Sequence, residues 1–133
     1  MNQPGPPLKP HPNGWAKFIA GFGHAFNGLW YALRTQVNMC VHLSIAVLAI
    51  LLGILLRIST VEFAIILVMI AIVFVAEMFN TVIEVSIDLF SPEYHPLAKI
   101  AKDVAAGAVL LSAILAVITG LLIFGPRLWA LIR

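Results

Sequence analysis

Val104 to Pro126 is a run of twenty-three uncharged residues, and nothing constrains the fold of this chain more. About twenty such residues cross bilayer hydrocarbon as a helix, where every backbone N–H and C=O must be paired within the segment. Two further stretches meet the same condition. Val37 to Leu56 has no formal charge apart from a possible one on His42, and a third stretch begins near Val61. It runs to about Phe90, longer than a bilayer needs. A chain of 133 residues that is 62% hydrophobic and 11% charged cannot hide that surface in a soluble core. The expectation is an all-α membrane protein with spans at about 37–56, 61–90 and 97–126.

The segments outside the spans are short. Residues 1–14 hold prolines at 4, 6, 7, 10 and 12 and no apolar core, which predicts a disordered tail and excludes a signal peptide. From Trp15 to Arg34 the apolar residues Phe18, Phe22, Phe26, Leu29 and Leu33 recur helically, with Lys17, His24, Asn27 and Arg34 between them. That pattern suits an amphipathic helix lying in the membrane interface, over 15–35. Gln36, Asn38 and His42 cluster at the entrance to the first span and read most simply as headgroup-level polar residues. Arg57 to Thr60 makes a tight turn in which Ser59 or Thr60 can cap the next helix. Pro92 and Pro96 break the chain again, and residues beyond Pro126 read as a short tail anchored by Trp129. The single cysteine, Cys40, excludes an internal disulfide, and a net charge of +2 without a basic tract gives no case for nucleic acid.

Basic residues set the expected orientation. Lys9, Lys17 and Arg34 precede the first span, and Lys99 and Lys102 follow the second, whereas the first loop has Arg57 offset by Glu62. The N-terminus and the second loop are therefore expected on the cytoplasmic side. Arg127 and Arg133 then lie outside, against the rule.

Within the second span, FVAEMFNTVIEVSID places Glu77, Asn80, Glu84 and Asp88 at spacings of three, four and four. At about 100° per residue they fall within roughly 80° of one another on a helix. A carboxylate at membrane depth costs at least a few kcal/mol, roughly, and such residues face a bundle interior or a wet cavity. Carboxylates suit hard cations such as Mg²⁺, lysine suits phosphate oxygens, and the deepest acid, Glu77, is placed to act as a base. Lys99 and Lys102 lie just beyond the stripe. These residues allow phosphoryl transfer onto a membrane substrate, a proton or cation path, or structural pairing such as Lys102 with Glu84. Neither GxxxxGK[ST] nor GxGxxG occurs.

AEMFNTVIEVSID followed by SPEYHPLAKIAKDVAAGAV resembles the signature of the small prokaryotic diacylglycerol kinases, over about residues 15–125. HPLAKIAKDVAAGAV and the ITGLLIF ending are closer to that family's undecaprenol kinase branch. The resemblance implies a homotrimer in the bacterial plasma membrane, each subunit with a surface helix and three spans. Its sites would form between subunits at the cytoplasmic face, using ATP and Mg²⁺ to phosphorylate a lipid hydroxyl. The implied acceptor is undecaprenol, with diacylglycerol as the alternative and a weakly active or inactive retainer of the fold as the non-enzyme reading. On this resemblance Glu77 is the general base and Glu84 a metal ligand. Asn80, Asp88, His95, Lys102 and Asp103 hold the nucleotide. One position departs from the pattern: where the family commonly has a second metal-binding glutamate, this chain has Gln36. Gln36 is expected to stay in the metal site as a neutral carbonyl ligand.

Overall fold

The computed structural model describes residues 13–91 and 93–133 and contains four helices, α1 (Gly14–Thr35), α2 (Val37–Leu55), α3 (Thr60–Phe90) and α4 (Pro96–Ile132). The tail expected over residues 1–14 falls almost wholly outside the described residues. The last three helices are long and apolar enough to cross a membrane. The chain divides into two compact units, one ending at Tyr31 and one from Ala32 to Arg133. In the first, the α1 rings of Trp15, Phe18 and Phe22 follow one another in edge-to-face contacts at 6.0 and 5.2 Å. They remain largely exposed.

The second unit is a hairpin followed by a long return helix. α2 ends where Arg57 takes a left-handed conformation, φ 48°, and its neighbour Ile58 donates its N–H to the Gly53 carbonyl at 3.1 Å. This satisfies a carbonyl that a helix end otherwise orphans. Gly53 has little room for a side chain, since a Cβ there would lie 3.0 Å from Ile58 Cδ1 and 3.2 Å from the Phe63 ring. α3 then starts on a reciprocal cap. Ser59 accepts from the Glu62 N–H at 3.3 Å while Glu62 accepts from the Ser59 N–H at 2.8 Å. Of the two expected capping residues, Ser59 has this role.

α3 packs chiefly on α4, and at this end Ile66, Ile123 and Phe124 make the core against Leu52, Leu56 and Ile70. Two expectations are corrected here. α4 does not stop at Pro126 but continues to Ile132, with the proline inside it. Arg127 holds that turn by donating to the Ile123 carbonyl at 2.8 Å and to both Glu62 oxygens, at 2.9 and 2.8 Å. Glu62 is thus the partner of Arg127 rather than the local offset for Arg57. Most large apolar side chains of the three long helices are exposed in the single chain, as lipid-facing or subunit-facing surfaces are.

Candidate functional site

The polar stripe of α3 is turned towards α2 and splits into two groups. The deeper group is built by antiparallel register. Gln36 lies beside Glu84 and donates Nε2–H to its Oε2 at 3.1 Å, while His42, six residues on, lies beside Glu77, seven residues back. Glu77 is 1% exposed, and its Oε1 is 3.2 Å from His42 Nε2. The two atoms are in contact without the alignment of a hydrogen bond, so Oε1 has no aligned donor. One turn on, Asn80 donates Nδ2–H to Glu84 Oε1 at 2.8 Å, and its own Oδ1 is buried without a partner. Thr81 is buried beside them and returns its hydroxyl to the Glu77 carbonyl at 2.9 Å.

The outer group sits at the α3–α4 turn. Lys102 reaches back to Asp88, and Lys99 pairs with Asp103 one turn along α4. The pairing of Lys102 with Glu84 considered above is not formed. Asp88, Glu93, His95, Lys99, Lys102 and Asp103 share the wall of an open cavity of about 290 Å³. His95 has a structural task as well, its Nδ1 accepting from the Leu97 N–H at 3.2 Å and so capping α4. The structure therefore brings Gln36, Glu77, Asn80 and Glu84 together in one group and Asp88, His95, Lys102 and Asp103 in another.

His42 is the residue that the sequence reading left at the headgroups. Its signal is the register itself: an antiparallel pair that matches Gln36 with Glu84 must bring His42 opposite Glu77. His42 also borders a second cavity, of about 270 Å³, between α2, α3 and α4. Its other lining residues are apolar, among them Ile45, Ala49, Ile70, Val117 and Phe124.

Among the described residues no three acidic, histidine or cysteine side chains converge as a metal cage. The donor set does fit a hard cation that arrives with a phosphate-bearing substrate, since one or two carboxylates are then enough. Glu84 supplies one, and the unpartnered Asn80 Oδ1 is an oxygen without a donor beside it. Gln36 turns its amide nitrogen, not its carbonyl, to Glu84.

Three helices long and apolar enough to cross a membrane, with the buried Glu77 and half-buried Glu84 towards one end and a lysine-lined cavity beyond them, mark a membrane protein. The profile of the prokaryotic diacylglycerol kinase family matches residues 23–124, and the chain belongs to that family of lipid kinases. It is similar to an undecaprenol kinase of Bacillus subtilis, with 42% identity over 90% of this chain and 98% of the relative. A diacylglycerol kinase of Synechocystis is 37% identical over 98% of this chain and 77% of its own length. The diacylglycerol kinase of Escherichia coli K12 is 28% identical over 80% and 87%.

Proposed function

We propose that this lipid kinase uses Mg²⁺ and ATP to phosphorylate undecaprenol, giving undecaprenyl phosphate. The observation that carries the site reading is the buried Glu77 carboxylate beside an amide-held Glu84, one helical segment from a lysine-lined cavity. The 42% identity to the Bacillus undecaprenol kinase, over nearly the whole of both chains, supports the acceptor. Glu77 lies about 25 Å along α3 from Thr60, inside a hydrocarbon layer about 30 Å thick, whereas Glu84 and Asp88 lie beyond it. A lipid hydroxyl at the interface and a nucleotide in the aqueous phase would meet between those levels.

In this reading Glu77 takes the proton as the acceptor oxygen attacks the γ-phosphorus. The new O–P bond forms, the bond to the β-phosphate oxygen breaks, and ADP leaves. Lys102, with Lys99 beside it, neutralises phosphate oxygens, and release of Lys102 from Asp88 frees that carboxylate for the sugar or base. His95 and Asp103 line the same cavity. Glu84, with Asn80 Oδ1 and Gln36, would hold Mg²⁺, whose chemistry is to offset the charge of the transferring phosphoryl group. The site lies on the cytoplasmic side of the bacterial plasma membrane, where ATP is found, and is completed between subunits of a homotrimer. The exposed apolar faces of the three long helices support an assembly of that kind.

The test is purified protein with Mg²⁺ and γ-labelled ATP, with undecaprenol and diacylglycerol offered in competition. Label is expected mainly in undecaprenyl phosphate. Preferential labelling of phosphatidic acid would transfer the assignment to diacylglycerol, the acceptor in the names of the Synechocystis and Escherichia coli relatives. No label in either lipid would refute both.

A further inference from the structure

We infer that His42 is a positioning residue for Glu77, holding the carboxylate in its catalytic orientation through Oε1 so that the other oxygen faces the acceptor hydroxyl. The inference rests on the reading of Glu77 as general base.

Glu77 is almost wholly buried, and its Oε1 has no aligned hydrogen-bond donor, an expensive state for a carboxylate in an apolar span. His42 Nε2, at 3.2 Å, is the side-chain nitrogen that reaches that oxygen. A turn of the ring that aims an Nε2–H at Oε1 converts the contact into a hydrogen bond. Catalytic hydrogen bonds are often long or poorly aligned before substrate binds and tighten in the complex.

Charge around the pair is sparse. On α3 the other acid acting on Glu77 is Glu84, whose oxygens accept from Gln36 and Asn80. From α4 the cavity beside His42 is lined by Ala113, Ala116 and Val117, which offer the carboxylate no donor. Among the described residues His42 is the sole polar side chain in that cavity wall, so an apolar chain entering there would meet the imidazole at the end where Glu77 lies. A ring that touches both the base and the apolar cavity can hold the base while the acceptor is seated.

The rival role is packing, with the ring merely filling the wall between α2 and α3. Two replacements of similar reach separate the roles. His42→Gln keeps a side-chain N–H donor near the Nε2 position, and His42→Leu keeps apolar volume without a donor. The expected result is that His42→Leu lowers kcat by about 10–100-fold, less than the roughly 10²–10⁴-fold that loss of a general base itself costs. KM for ATP should stay within about twofold, because the nucleotide residues are untouched. His42→Gln should recover at least a third of the wild-type kcat while melting no higher in detergent than His42→Leu. If His42→Leu matches or exceeds His42→Gln in kcat, the ring is packing and the inference falls. Glu77→Gln, run alongside, keeps the two readings apart. Full turnover by Glu77→Gln removes the base itself, whereas inactive Glu77→Gln with fully active His42→Leu removes only the role given to His42.

Discussion

Glu84 accepts from two side-chain amides at once, Gln36 on one oxygen and Asn80 on the other, so a cation bound there must compete with both. A glutamate in place of Gln36 would remove one of those donors and add an anion, and ligand charge is one of the terms that sets affinity for hard cations. Gln36→Glu is therefore expected to lower the Mg²⁺ concentration for half-maximal activity, and Gln36→Leu to raise it. Titrating activity against Mg²⁺ for the three proteins checks this, and coincident curves would show that Gln36 does not touch the metal. Glu77→Gln should reduce phosphoryl transfer by about 10²–10⁴ while nucleotide binding, followed by a fluorescent analogue, is retained. The stripe that holds these residues was legible in the sequence because it needs only the angular period of one helix. The partners were less so. Gln36 was singled out as a departure from a family pattern, but the direction of its amide belongs to the folded pair. His42 read as a headgroup residue, because the register between two helices leaves no trace in the periodicity of either.

At the level of elements, the α2–α3 hairpin depends on the missing side chain of Gly53. Its Cβ position is crowded by Ile58 and Phe63, two residues that the turn itself brings back. Gly53→Val is expected to cost about 1–3 kcal/mol, the usual range for overpacking, measured as loss of stability to denaturant in detergent. Gly53→Ala should cost less, since the Ile58 tip can give by a few tenths of an ångström. The turn was legible from Arg57 to Thr60, and the reciprocal Ser59–Glu62 cap follows from residue types three apart. The far end of α4 was not. Pro126 is an ordinary stop signal, and it was overridden by Arg127, whose partner lies sixty-five residues away in α3. Arg127→Met and Glu62→Gln should each lower the melting temperature in detergent, and the double variant should be little worse than either. Additive losses would mean that the two groups act independently.

The whole molecule was the most legible scale, because three apolar segments in lipid leave helices as the available answer. Orientation is a matter of the loops, and it yields a further prediction: a cytoplasmic N-terminus and an external C-terminus. Reporter fusions behind Arg133 should be active only outside the cytoplasm, and an active cytoplasmic reporter there would put the lysine-lined cavity out of reach of ATP. The Arg127–Glu62 pair has a consequence at this scale too. It fastens α4 to α3 about 37 Å from Lys102, measured along the helix. A slip of one residue at that fastening would shift the lysine by about 1.5 Å against Asp88, a large error for a group proposed to meet a phosphate oxygen. The pair is a datum from which the height of Lys102, the lysine proposed to bind phosphate, is set. A bilayer thinner or thicker than the helices prefer pulls on the calibration of the site from the opposite side of the membrane.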